Sequence, residues 1–303
     1  MRAPSACACA LALGLASPAC AWFESSPVGA RALGLGESFV SVADDASALY
    51  WNPAGLVQLR RHEVFLSYER RADLEGLQSN FAAVIVHSGA GSLGLGWQHT
   101  GLEETIGEDL VYLSLARTAV RRSLGAFVSA AATLKVAHLG LEPGGFANVA
   151  GLRGSATALT ADVGFLLSPI PNVTAGGIVR NLGRPQFDLF TGGERTTLEN
   201  ETEWGVSLRW REDGWLCLSR VQHPGSAATT TKLGVEVRFA AGLVVQAGMR
   251  RDAVTGGVGV GWKTWQLDSA FEAHDLLGVR YRVALRRGFG RERQAIGGGF
   301  EPF

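Results

Sequence analysis

No charge of one sign dominates this chain. Its 28 basic residues are matched by 28 acidic ones, so nothing in the composition draws it to a phosphate backbone, and a nucleic-acid partner is excluded. Cysteine is scarce where it would matter: Cys7, Cys9 and Cys20 sit in the first twenty residues and Cys217 stands alone afterwards. Past that N-terminal region no window offers 18 or so uncharged apolar residues, which excludes a membrane-spanning helix. The marks of catalysis are missing too. His62, His87, His99, His138, His223 and His274 include no pair at a metal-ligand spacing such as i, i+4, and no Gly-x-Ser-x-Gly or Cys-x-x-Cys follows the N-terminal region. The sequence therefore assigns no catalytic residue, metal or cofactor, and the chain reads as a non-enzyme.

The first twenty-one residues read as an export signal. Arg2 gives a small positive start, Ala6 to Ala16 is an apolar run too short to cross a bilayer, and Ala19-Cys20-Ala21 has the small-x-small form of a signal-peptidase site. A lipid anchor on Cys20 is the other reading, but Ser17-Pro18-Ala19 lacks the aliphatic residue expected three positions before it. Cleavage after Ala21 removes three cysteines and leaves Cys217, so the mature chain has no intramolecular disulfide and must rely on backbone pairing and burial.

What the chain has in excess is glycine, 40 residues against a usual share of roughly 7%, and alternation of period two. Residues 232–239, KLGVEVRF, set Leu233, Val235, Val237 and Phe239 against Lys232, Gly234, Glu236 and Arg238. VRYRVALR at 279–286 and EWGVSLRW at 203–210 repeat the pattern. About fourteen candidate strands follow, near 62–70, 79–88, 91–100, 108–118, 122–138, 156–168, 173–182, 201–211, 214–222, 229–239, 242–251, 254–262, 264–274 and 277–289. Most are roughly 9 to 12 residues long, the length of a tilted strand crossing a bilayer rather than the 5 or 6 common in soluble sheets. Short links such as Ala240-Ala241 and Lys263 contrast with long polar ones at 139–155 and 183–200, as in outer-membrane barrels. Trp97, Tyr112, Trp204, Trp210, Trp215, Trp262 and Trp265 fall near proposed strand ends, where an aromatic girdle belongs. The predicted fold is all-β: a transmembrane antiparallel barrel of about fourteen strands over 62–289, with a soluble periplasmic β-protein as the alternative.

One stretch is neither signal nor strand. In ADDASALYWNPAGL, residues 43–56, Asp44 or Asp45 is placed to cap a helix starting at Ala46, Leu49 propagates it, and Asn52-Pro53 ends it. A paired-carboxylate site at Asp44-Asp45 is the weaker reading, since adjacent acids before a helix are usually caps. The longer run Gly29 to Leu56 closely resembles the N-terminal signature of the PorV/PorQ family of bacterial outer-membrane proteins, a branch of the FadL-type barrel superfamily. The matching residues are Gly29-Ala30-Arg31-Ala32-Leu33-Gly34, Phe39, Val42-Ala43-Asp44-Asp45-Ala46, Ala48 and Asn52-Pro53-Ala54-Gly55-Leu56. Ile178-Val179-Arg180-Asn181-Leu182-Gly183 is similar to the family's mid-chain strand end, and 232–251 with 265–285 to its closing hairpins.

The resemblance implies that residues 22–61 form a short helical plug in the barrel, with Phe39, Asp44, Asp45, Leu49, Tyr50, Trp51, Asn52 and Pro53 as plug or ligand-contact residues. It implies an outer-membrane role in transport or protein secretion. The partners would be outer-membrane lipid, the barrel-assembly machinery, and secreted proteins bound through 139–155 and 183–200. The alternative is a FadL-like channel for a hydrophobic small molecule. Family chains end on an aromatic closing the last strand. Here Phe289 is followed by residues 290–303, a Gly-rich, charged tail read as disordered.

Overall fold

The computed structural model describes residues 26–71, 76–102, 105–121, 126–141, 154–188, 195–210, 214–222, 229–251, 253–274 and 278–293. Residues 1–25, which include the stretch read as an export signal, and residues 294–303 of the tail lie outside the described residues. In chain order the strands are β1 (His62–Arg71), β2 (Leu77–Ser88), β3 (Gly91–Leu102), β4 (Ile106–Arg121), β5 (Phe127–Leu141), β6 (Ser155–Ile170), β7 (Val173–Leu182), β8 (Gln186–Phe187), β9 (Thr196–Thr197), β10 (Glu201–Trp210), β11 (Gly214–Gln222), β12 (Thr229–Arg238), β13 (Leu243–Arg250), β14 (Ala253–Trp262), β15 (Trp265–His274) and β16 (Gly278–Phe289). β8 and β9 pair only with each other, and the other fourteen form one closed antiparallel barrel. The β1–β16 seam runs in register from His62↔Phe289 to Arg71↔Arg280. Closure leaves no open edge, so the wall's backbone groups are satisfied strand to strand, the condition for crossing lipid without helices.

The alternation sorts the two faces as expected. Leu66, Leu113, Phe165, Val206, Leu218, Leu233, Val235 and Tyr281 are exposed on the outside, while Glu203, Lys232, Glu236, Arg280 and Arg282 are buried within. Such a continuous apolar outer surface belongs in lipid. Trp97, Trp204, Trp262 and Trp265 lie on this outer face, but Tyr112 and Trp215 do not. Their side chains have the parity of the inward set, and proximity to a strand end alone cannot reveal which way a ring points.

Val235→Arg, on the lipid side, should cost roughly 2 to 4 kcal/mol near the bilayer midplane, whereas Thr230→Arg, which points into a luminal cavity, should cost much less. Denaturant unfolding in vesicles checks this, and equal costs would overturn the facing. Gly234 is unsuitable as an inward control, because a Cβ there would stand 2.4 Å from the Leu35 carbonyl oxygen.

The interior is filled by the chain's own N-terminal segment. Every residue from Pro27 to Leu59 is buried except Tyr50, which is half-buried. The segment contains α1 (Ala30–Gly34), α2 (Ala48–Trp51) and a 3₁₀ helix, Pro53–Gln58. α1 lies along β13 to β16, and the 3₁₀ helix along β3 to β6. Helix α2 is shorter than expected: it begins at Ala48 rather than Ala46, and Pro53 opens the 3₁₀ helix as well as ending α2.

The glycine excess has its cause here. A Cβ at Gly164 would strike the Asn52 amide, one at Gly176 or Gly205 would meet Val40, and one at Gly248 would collide with Gly36. Inward glycines therefore let the wall approach the segment's backbone.

The chain enters β1 and leaves β16 at the end that carries the short turns. The connections after β5 and β7 leave the opposite end. Arg60 and Arg61 pair with Glu292, and the Arg293 amide donates to the Arg60 carbonyl at 2.7 Å. The start of the tail is thus tied to the short-turn end rather than loose. The 183–200 connection is not featureless either, since it contains the β8–β9 ribbon, whose neighbourhood buries Phe187 and Leu198.

Candidate functional site

The site is the lumen, and Asn52 is its keystone. Its extended backbone (φ −164°, ψ 98°) separates α2 from the 3₁₀ helix. Its Nδ2 donates to the Val40 carbonyl at 2.8 Å and to the Phe165 carbonyl of β6 at 3.0 Å, while its Oδ1 accepts from the Ala54 amide at 3.2 Å. One side chain thereby ties two parts of the segment to the wall. Pro53 preorganises the turn that follows, and Gly55 is packed against residue 43: a Cβ there would lie 1.9 Å from the Ala43 carbonyl oxygen. Gly55→Ala should therefore dislodge the 42–58 loop. Increased protease cleavage within 36–58 on an assembled barrel would show this, and a wild-type pattern would contradict it.

Asp44 and Asp45 divide their duties. Asp45 Oδ1 accepts from the Ser47 amide at 2.9 Å and from its hydroxyl at 2.5 Å, closing the turn into α2 without acting as the cap residue itself. Asp44 does not cap the helix: it pairs with Arg31 at 2.5 Å, whose Nε reaches Glu236 of β12 at 2.6 Å. Burial would lower the Arg31 pKa, but Asp44, Glu236 and Asp45 outweigh it and raise it further above its ordinary value. A buried guanidinium thus joins the segment to the wall across the barrel interior.

Glu37 makes a second latch. Its backbone is in the left-handed region (φ 62°), a costly conformation for a non-glycine residue, and its carboxylate accepts from Arg280 at 2.5 Å and from Arg250 at 3.0 Å. Glu272 bonds both of these arginines on its own side. Burial would push the Glu37 carboxyl up, but Arg250 and Arg280 outweigh it and hold it below the usual carboxylate range. Because its folded value is depressed, the latch contributes fully above the ordinary glutamate value and fades only as pH falls below that value.

The aromatic residues of the segment are spoken for. Phe39 packs edge-on to Trp51 at 6.2 Å beneath the Arg31 guanidinium, Lys232 stands over the Trp51 ring at 5.3 Å, and Trp51 Nε1 donates to the Val28 carbonyl at 2.9 Å. Leu49 is fully buried and packs into the space left by Gly94 and Gly96. Of the eight residues singled out from sequence, Tyr50 and Trp51, facing the long-connection end, and Asp44, facing the short-turn end, line cavities; Phe39, Asp45, Leu49, Asn52 and Pro53 are packed internally. Arg31, Glu37, Gly55, Glu236 and Arg280 were not singled out. Arg31 and Gly55 lay within the quoted motif, but their partners are remote in sequence. Among the described residues, no three of His, Cys, Asp and Glu converge as a metal site.

Above Tyr50 the lumen has two unlike sides. Toward the long-connection end β4, β5 and β6 turn inward Leu110, Tyr112, Ala137, Leu139, Ala156 and Ala158, which join the buried apolar cluster of Phe187 and Leu198. Across from them stand the charged residues of β1, β10, β12, β13 and β16. A small cavity of about 20 Å³ at the boundary is lined by Tyr50, Leu110, Tyr112 and Leu198, and by Lys135, Asp162 and Arg180.

Comparison with solved structures finds the same fold among outer-membrane-type channels. The chain superimposes on the monoaromatic hydrocarbon channel CymD with TM-score 0.61 and 12% identity, covering 87% of this chain and 98% of that one. It superimposes on the P. putida toluene transporter TodX at 0.57 and 12%, covering 87% and 99%, and on a Pseudomonas aeruginosa FadL homologue at 0.58 and 11%, covering 88% and 99%. No protein-family profile and no curated sequence matches the chain. At these identities the likeness is one of fold alone, a closed fourteen-stranded antiparallel barrel.

Proposed function

We propose that the chain is a channel of the bacterial outer membrane for small hydrophobic molecules, exported by a cleaved signal, with the short-turn end in the periplasm and residues 26–59 as its plug. The observation that carries this reading is the apolar inner wall of β4 to β6, which leads from beside the β8–β9 ribbon to Tyr50 at the top of the packed segment. A polar solute has little to bind along this wall before Lys135 and Asp162, which pair with each other, whereas a greasy one exchanges water for apolar surface there. Structural likeness to channels for aromatic hydrocarbons supports the same reading. Phe39 and Leu49 would meet such a solute only once the plug shifts.

The test is hydrocarbon uptake by intact cells whose outer leaflet blocks such solutes and whose own hydrophobic channels are deleted. Expression of the chain should speed uptake of labelled toluene, and Ala158→Glu on the apolar wall should abolish the gain. Outer-membrane assembly without any uptake would overturn the proposal, and recovery as a soluble periplasmic protein would overturn the location.

A second reading is supported by the N-terminal motif: membership of the PorV/PorQ branch with a role in protein secretion. The motif residues Arg31, Asp44, Asn52 and Gly55 each have a defined luminal contact, as a signature of plug architecture should. On this reading the long connections bind secreted proteins. Crosslinking of a defined secreted protein to 183–200, together with absent hydrocarbon uptake, would favour it.

A further inference from the structure

The long-connection end also holds a cavity of about 250 Å³ whose chemistry a neutral hydrocarbon does not use. Five cations, Arg71, Arg180, Lys232, Arg250 and Arg280, line it against three carboxylates, Glu37, Glu201 and Glu203. The barrel register sets two pairs of like charges opposite one another, Arg71↔Arg280 across β1 and β16 and Lys232↔Arg250 across β12 and β13. Directly opposed like charges repel unless something answers them. Most are answered internally: Arg250 and Arg280 by Glu37 and Glu272, Arg180 by Glu201, and Lys232 by Glu203.

Arg71 is the exception, since among the described residues no carboxylate pairs with it. Its Nε is buried without a hydrogen-bond partner, and so are the Nε atoms of Arg180 and Arg280, residues only 6% and 4% exposed. Arg71 thus presents to the cavity a cation that no carboxylate among the described residues answers, beside two arginines that are already paired. The floor beside them is Tyr50, the one half-buried residue of the luminal segment, edge-on to Trp51 at 5.1 Å. Trp51 is only 1% exposed and closes the cavity below, which restricts an occupant to a compact body.

We propose that this cavity binds the carboxylate of a small aromatic acid, held between Arg71 and Arg280 with its ring against Tyr50. A planar carboxylate matches the guanidinium fork, gives Arg71 the counter-charge it lacks and relieves the Arg71–Arg280 repulsion. The inference adds an anionic ligand to a barrel proposed to pass neutral ones. It is measured by binding rather than uptake, so either proposal can fail alone.

The experiment is calorimetric titration of the purified, folded full chain with benzoate. Saturable binding is expected. Arg71→Gln, which breaks no ion pair of the resting protein, should weaken it by roughly tenfold or more, and Arg71→Lys should restore part of the loss. Tyr50→Leu should weaken benzoate while leaving acetate unchanged. No saturable benzoate binding, undiminished binding by Arg71→Gln, or inorganic phosphate binding as tightly as benzoate would each overturn the proposal.

Discussion

Deleting residues 29–56 should leave a barrel that still assembles but conducts ions continuously in planar bilayers, where the intact chain shows little or no steady current. The wall's hydrogen bonds run between neighbouring strands through all fourteen members of the closed sheet, so its integrity does not depend on the segment. The lumen's blockage does depend on it. A fourteen-strand barrel is too wide for its own side chains to close. Here the inward positions that face the segment are often glycines, Gly94, Gly96, Gly164, Gly176, Gly205, Gly234 and Gly248, which make that shortfall larger. Removing the segment also exposes Glu236, Arg280 and Arg282 to water, which solvates them at no structural cost and lines the pore with charge. Open-channel current of porin type, in heat-modifiable folded protein, is the expected record. An unchanged, closed barrel would mean that the wall alone closes the lumen and that the segment serves another purpose.

The barrel was legible because its determinants are local. Alternation in residues 232–239 or 279–286 fixes which side chains face lipid, and strand length and turn chemistry fix the count. Where sequence reading went astray, the deciding contacts were remote. Nothing near Asp44 reveals that its partner is Arg31 rather than a helix terminus, and nothing near Arg31 points to Glu236, 205 positions away. Likewise Glu37 meets Arg280 across 243 positions. Tyr112 and Trp215 were assigned by proximity to strand ends, whereas parity within β4 and β11 turns them inward. One signal could have been used further: glycines at inward positions, such as Gly234 between Lys232 and Glu236, mark where another backbone comes close. That pattern would have located the segment's track along the wall, though not the residues that hold it.

Arg31→Met should detach the segment without dismantling the barrel. The Arg31 guanidinium sits between Asp44 and Glu236, and all three side chains are buried, at 3%, 2% and 0% exposure. Taking it away strands carboxylates in a low-dielectric interior, and breaking a buried pair from one side costs roughly 3 to 5 kcal/mol. Arg238 at 3.2 Å and Gln246 at 3.4 Å still contact Glu236, but Asp44, whose Oδ2 already lacks a partner, would lose its ion pair with Arg31. That cost exceeds what a short helix of five residues can return through its own hydrogen bonds, whereas the fourteen-stranded wall is untouched by it. The segment should therefore open locally, seen as protease cleavage within 36–47 and intermittent ion current, while the folded band on gels persists. Neutralising the stranded partners in Arg31→Met with Asp44→Asn and Glu236→Gln should recover most of the loss, because the penalty lies in the unpaired charges rather than in the missing attraction. If the triple variant is as leaky as the single one, the guanidinium acts through its packing over the Phe39 ring at 5.2 Å, and the latch is one of shape rather than charge.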